Sequence, residues 1–177
     1  PYRAFKSPFF ERAINAPFFM RWPAVIAANS RYPYPVGHID IFATAAAAAH
    51  ARLPTDRVID GVDLLPYLQG RAPDRPHRML FWRSGQYKVV LDGDWKLQTS
   101  GALNKVWLYD LARDPTERHE LSKEQPQRVQ AMLALIKAQD AQSVKPIWPS
   151  LLQGPVFIDH PSGVPQKKGE EYIEWDN

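Results

Sequence analysis

Apolar positions change their spacing twice along this chain, and the changes divide it. Residues 1–30 are aromatic and broken by prolines. Within them Phe18-Phe-Met-Arg-Trp22 stands between Pro17 and Pro23 as one short apolar run. Such a run predicts a buried strand. No neighbouring segment offers it a hairpin partner, so it is expected to join a sheet supplied from elsewhere. Ile39 to Arg52 then reads as a helix, because it carries the run Ala45–Ala49 and alanine is the best helix former. Asp40 falls in its first turn, where negative charge meets the positive helix end. Leu53-Pro54 stops it. A short helix over Leu64 to Gln69 is closed by Gly70, and a polar loop from Arg71 to His77 follows.

From Met79 the period becomes that of strands. Met79–Arg83, Gln86–Leu91, Trp95–Gln98 and Val106–Tyr109 are short and rich in aromatic and β-branched residues. Asp92-Gly93 and Ser100-Gly101 supply hairpin turns. The pattern predicts a four-stranded antiparallel meander that ends at Asp114-Pro115. Over Gln125 to Gln142, Val129, Met132, Leu133 and Ile136 fall at i, i+3, i+4 and i+7, one apolar stripe of a helix with Pro126 in its first turn. The stripe is expected to lie on the meander, giving an α+β unit. Residues 145–177 are rich in proline and glycine, with Trp148, Phe157, Tyr172 and Trp175 as anchors. They predict an extended tail that wraps over a surface, with Tyr172 to Trp175 as an edge strand.

Composition narrows the function classes. The 177 residues carry a formal net charge of +3 and no cysteine. Disulfides, thiolate metal sites and a cysteine nucleophile are therefore excluded. Basic residues are scattered among acids rather than clustered, which argues against a nucleic-acid partner. No apolar run approaches the roughly 20 residues of a membrane-spanning helix, so no membrane partner is expected.

Candidate chemistry is sparse. His77, with Arg75 and Arg83, lies in or beside the loop before the meander, where a substrate rim is commonly built. His38 reads as a helix-start residue and His50 as a surface one. His119 and His160 belong to no constellation, and no histidine pair has zinc-helix spacing. The aspartates of Asp60-Gly61 and Asp92-Gly93 serve turns. No metal site is expected in this chain.

A series of phrases in fixed order changes the picture. They are Lys6-Ser-Pro-Phe-Phe-Glu11, Pro17-Phe-Phe-Met-Arg-Trp-Pro23, Gly37-His-Ile-Asp40, Ile59-Asp-Gly-Val-Asp-Leu-Leu-Pro-Tyr-Leu68, Gly93-Asp-Trp-Lys-Leu97, Leu108-Tyr-Asp-Leu111 and Asp114-Pro-Thr-Glu117. Together they resemble the C-terminal portion of a sulfatase, a sulfate-ester hydrolase of the alkaline-phosphatase-like superfamily. The resemblance implies an α/β family fold, represented here by an α+β C-terminal part: a four-stranded antiparallel sheet packed by one long helix, plus a strand and helices of the larger α/β domain. It implies residues 1–75 as the end of that large domain, 76–144 as a small α+β subdomain and 145–177 as the wrapping tail. Lys6 matches the lysine of a Lys-x-x-x-aromatic-Glu-Gly-Gly-x-Arg phrase and would contact the sulfate group. Arg12-Ala13 and Asn15 depart from that phrase, which puts the local loop in question.

The family reaction uses a formylglycine made from a Cys/Ser-x-Pro-Ser-Arg phrase and a calcium ion. No such phrase occurs here. Calcium and formylglycine are thus expected in a missing N-terminal part, and this chain alone is expected to hydrolyse nothing. Its partners would be that N-terminal part and a sulfated small molecule or sugar. Its compartment would be periplasmic, secreted or lysosomal. Two other readings stay open: part of a related phosphodiester or phosphonate ester hydrolase, and a non-catalytic module that binds carbohydrate or protein.

Overall fold

The computed structural model describes residues 3–4, 8–145, 147–148, 153–160, 164–165 and 167–176. It divides into two compact units, Pro1–Pro17 with Met79–Asn177, and Phe18–Arg78. Among the described residues no helix is long and apolar enough to cross a membrane.

The first unit is built on a four-stranded antiparallel meander, β1 (Met79–Ser84), β2 (Tyr87–Asp92), β3 (Trp95–Ser100) and β4 (Lys105–Asp110), in the order β1-β2-β3-β4. Ser84 pairs with Tyr87 and Asp92 with Trp95, so the first two hairpins have two-residue loops. Gly85 and Gly93 take positive φ in them, at 53° and 63°, as tight hairpin turns require. Ser100 pairs with Lys105, which leaves a four-residue loop closed by Asn104 at φ 47°.

The register sorts side chains onto two faces. Val90, Leu97 and Leu108 share one face and pack under the helix α1 (Pro126–Gln142) through Val129, Met132 and Ile136. Arg83 and Lys88, on the same face, bind the two oxygens of Asp140 in α1 at 2.9 and 2.6 Å. The meander and its helix are therefore as the spacing predicts.

The opposite face is covered as well. A second hairpin, β5 (Gln153–Phe157) with β6 (Tyr172–Asp176), contributes Val156, Ile173 and Trp175, with Ile158 beyond β5. Ala4, Phe9 and Phe10 add to it. Together they cover Tyr87, Val89, Trp107 and Tyr109. Tyr172 to Trp175 is a strand as expected, and β5 is its partner rather than the main sheet. The first 17 residues group with this unit rather than with residues 18–78.

The second unit holds α2 (Asp40–Ala48) and the short α3 (Leu65–Leu68). Helix α2 stops earlier than its alanine content predicts. His50 adopts φ 54°, and the amides of His50 and Ala51 turn back onto Ala47 and Ala46. The strand expected at Phe18 to Trp22 does not form. Those residues carry no regular secondary structure, and Phe18 and Phe19 are 49% and 89% exposed. A single strand cannot satisfy its own backbone, and no described strand pairs with it.

Candidate functional site

Lys6 lies outside the described residues, but the phrase that carries it is fixed just downstream. Phe10 is fully buried in the core of the first unit. The Phe9 amide donates to the Tyr87 hydroxyl at 3.2 Å, and the two rings stack with centroids 5.3 Å apart. The Glu11 amide donates to Glu117 Oε2 at 2.6 Å.

These anchors end in a buried charged cluster. Lys96 projects from β3 onto the face away from α1, because Leu97 beside it faces α1. Its side chain is 0% exposed and pairs with Glu117 Oε1 at 3.0 Å and Glu11 Oε1 at 2.8 Å. Gln98, two residues on and therefore on the same face, donates to Glu117 Oε1 at 3.1 Å and accepts the Tyr87 hydroxyl proton. Burial pushes the Glu117 carboxyl up, and Lys96 and the Glu11 amide pull against it. Burial also pushes the Tyr87 phenol well above its ordinary value, so it is neutral and donates. Among the described residues no buried side-chain nitrogen or oxygen lacks a hydrogen bond.

A second charged centre closes the same face. Arg3 donates to both oxygens of Asp159, to Glu171 Oε2 at 2.9 Å and to the Glu117 carbonyl at 3.1 Å. Burial opposes its charge, but the hydrogen bonds it donates to the Asp159 and Glu171 carboxylates outweigh this and raise its pKa. The N-terminal segment and the C-terminal hairpin are thus tied together over the sheet.

The other candidates are engaged within their own units. His77 Nε2 lies 2.7 Å from Asp40 Oδ1, and the ring is 9% exposed. An ionised carboxylate only accepts, so Nε2 carries the proton. Asp40 is itself buried and also accepts the amides of Gly37 at 2.7 Å and Val62 at 2.9 Å. It therefore joins the phrase at Gly37-Asp40 to the phrase at Ile59-Leu68. Thr44 adds to this joint by accepting the Leu64 amide at 3.0 Å. The Arg75 guanidinium stacks over Tyr34 at 4.8 Å. Arg83 bridges β1 to α1 through Asp140 and also donates to the Val144 carbonyl. Arg75 and His77 both belong to the second unit, and Arg83 belongs to the first.

His38 and His50 are exposed. His119 lies beside Asp114 at 3.4 Å, and His160 is held by Glu170 at 2.9 Å. Among the described residues no group of three or more His, Asp or Glu side chains is arranged to hold a metal ion.

Lys96, Gln98 and Glu117 were not singled out by the sequence. The signal was present: Trp95-Lys-Leu-Gln98 alternates cleanly, which reads as one buried and one wet face. Only the second layer over the sheet turns the polar positions into buried ones.

No family model matches the chain. Steryl-sulfatase of Rattus norvegicus is 32% identical over 157 residues, covering 70% of this chain and 27% of that protein. N-acetylgalactosamine-6-O-sulfatase of Bacteroides thetaiotaomicron is 28% identical over 151 residues, covering 77% of this chain and 29% of that protein. A solved structure concerned with glycosaminoglycan metabolism by Bacteroides thetaiotaomicron superposes with a TM-score of 0.68 at 25% identity, over 80% of this chain and 32% of that one. The chain spans less than a third of the length of each of these proteins. By sequence and by fold, over most of its length, this chain is similar to sulfatases.

Proposed function

We propose that this chain is part of a sulfuric ester hydrolase and contributes Lys6 to the pocket for the sulfate group. The observation that carries this is the docking of Phe9, Phe10 and Glu11 onto the sheet, which holds the phrase containing Lys6 at its downstream end. A sulfate-ester transition state gathers negative charge on its oxygens and leaving group. A fixed ammonium at those oxygens stabilises that charge more than it stabilises the ground state.

The nucleophile and metal belong, in this proposal, to residues outside the chain. A formylglycine would supply the attacking oxygen and calcium would bind the sulfate; the sequence holds no Cys/Ser-x-Pro-Ser-Arg phrase, and among the described residues no group of three or more His, Asp or Glu could hold a metal ion. These 177 residues therefore turn over no substrate alone. The substrate is a sulfate ester on a small molecule or a sugar. Support comes from the relatives, one named for a sulfated N-acetylgalactosamine and another for a steryl sulfate.

The test is the full-length protein, with the residues that precede this chain, assayed on matched 4-nitrophenyl sulfate and phosphate esters and on a panel of sulfated sugars. Preferential release of sulfate is expected. Preference for the phosphate diester would assign the chain to the phosphodiesterase reading, and binding without turnover to the non-catalytic one.

A further inference from the structure

We propose that Tyr32, Tyr34, Tyr67 and Arg75 form a binding surface for a sulfated sugar chain, the rings taking sugar faces and the guanidinium a sulfate group. The proposal rests on the reading above for the class of its ligand, and the site itself is argued from residues 18–78 alone.

Three observations carry it. First, three phenol rings meet at the surface of the second unit. The Tyr32 ring stands edge-on to Tyr34 and to Tyr67, with centroids 5.6 and 6.3 Å apart. All three residues are half-buried rather than sealed in a core. The Tyr34 and Tyr67 hydroxyls bond to no described residue. Among the described residues no buried side-chain oxygen is left without a partner, so both hydroxyls reach solvent. Such a phenol offers a rigid apolar face, with a hydroxyl that donates and accepts. A sugar presents the complement, C–H groups on its faces and hydroxyls on its rim.

Second, the surface is fixed before any ligand arrives. The Tyr32 hydroxyl donates to the Asp74 carbonyl at 3.1 Å, and the Arg75 guanidinium lies over Tyr34. Residues 31–35 and 71–78 are thereby joined. Pro33 and Pro35 flank Tyr34, and Pro76 follows Arg75. Proline holds its backbone near one φ, so less order remains to be gained on binding. Stacking occupies the face of a guanidinium, whereas an oxyanion binds along its edge.

Third, the charge fits an anion. Residues 18–78 carry seven arginines and no lysine, and arginine is the cation whose planar fork matches paired oxyanion oxygens. Residues 71–78 hold Arg71, Arg75 and Arg78 against one acid, Asp74. Arg71 and Arg78 are exposed. His77 of the same loop is turned onto Asp40 at 2.7 Å and takes no part.

The test is isothermal titration calorimetry of the 177-residue chain with a chondroitin 6-sulfate hexasaccharide, its desulfated counterpart and inorganic sulfate. The sulfated hexasaccharide is expected to bind at least about 10-fold more tightly than either of the others, the effect of one charge-assisted hydrogen bond. Arg75→Ala and Arg75→Lys should each weaken it by about 10-fold, because lysine keeps the charge and lacks the fork. Tyr34→Phe and Tyr67→Phe keep the packing and should each weaken it by about 2- to 10-fold. Arg113→Ala, at a 90% exposed side chain of the first unit, should leave it unchanged.

No binding of the sulfated hexasaccharide overturns the proposal, as does equal binding of the desulfated one. So does an equal loss from Arg113→Ala and Arg75→Ala, which marks attraction by charge alone. A merely structural role for the cluster predicts lower stability with unchanged affinity, and that result also overturns it. Should the Arg75 variants not fold, the two Tyr→Phe variants decide, unchanged affinity in both being the contrary result. Turnover plays no part in this measurement. Absent binding here, with sulfate release by the longer protein, strikes this surface alone, and binding here without such release strikes the proposed function alone.

Discussion

Gly61 lies against Ile39 so closely that a β-carbon on it would come within 2.0 Å of the Ile39 carbonyl oxygen. The obstacle is backbone, at the start of α2, so it cannot swing aside. This contact explains why the Ile59-Asp-Gly-Val-Asp phrase needs its glycine: the loop must approach α2 for Val62 to reach Asp40 and Leu64 to reach Thr44. Gly61→Ala should destabilise residues 18–78 by about 2–3 kcal/mol, the cost of forcing atoms into a packed site. Urea unfolding followed by circular dichroism measures it, and an unchanged midpoint would contradict the packing described.

Acid should loosen the layer over the sheet. Burial alone would raise the Glu171 carboxyl, but hydrogen bonds from Lys105, Trp107 and Arg3 outweigh it and hold the pKa at about 2, against an ordinary 4.5. The unfolded chain therefore takes up this proton first as pH falls. The stabilisation is complete above the ordinary value and is lost as pH drops through about 2. Glu117 acts with the opposite sign, because burial raises its carboxyl and the folded state is the first to bind that proton. Comparing wild type with Glu171→Gln isolates the first effect. The variant should be less stable at pH 7, and its stability should fall less between pH 4.5 and 2. Fluorescence of Trp107 and Trp175, both packed in this layer, reports the loss. Identical pH profiles would refute the role given to Glu171.

Phe19 gives a test of the proposed partner sheet. At 89% exposure it makes little contact within this chain, so Phe19→Ser should change the stability of the 177 residues by no more than about 0.5 kcal/mol. In the full-length protein the same change should cost about 3–5 kcal/mol, the usual penalty for emptying a buried aromatic site. Denaturant titration of both forms settles the matter. A neutral effect in both would remove the need for a partner sheet at residues 18–22.

Much of the first unit was legible because one face of its sheet obeys simple periodicity. Leu97 alternates with polar neighbours and stands in register with Val90 and Leu108 on that face, and Val129, Met132 and Ile136 repeat at helical spacing. Gly93 marks its hairpin by the conformation it alone adopts easily. What failed did so for physical reasons. Phe18 to Trp22 has the composition of a strand, but a strand is a property of two segments, and no described strand pairs with it. His50 ends α2 in a left-handed conformation that normally calls for glycine, so no residue type announced the stop. Lys96 and Glu117 are charged, and charge ordinarily means solvent. Their burial depends on Arg3, Asp159 and Glu171 closing the far face from both ends of the chain. No local pattern encodes that closure.

The most direct test of the proposed function is steady-state hydrolysis of 4-nitrophenyl sulfate by three proteins: these 177 residues alone, the longer protein proposed to contain them, and that protein carrying Lys6→Ala. The account predicts no turnover by the first, turnover by the second, and a kcat lower by about 100- to 1000-fold in the third. Hydrolysis by the isolated chain, or an undiminished kcat without the Lys6 ammonium, would contradict it.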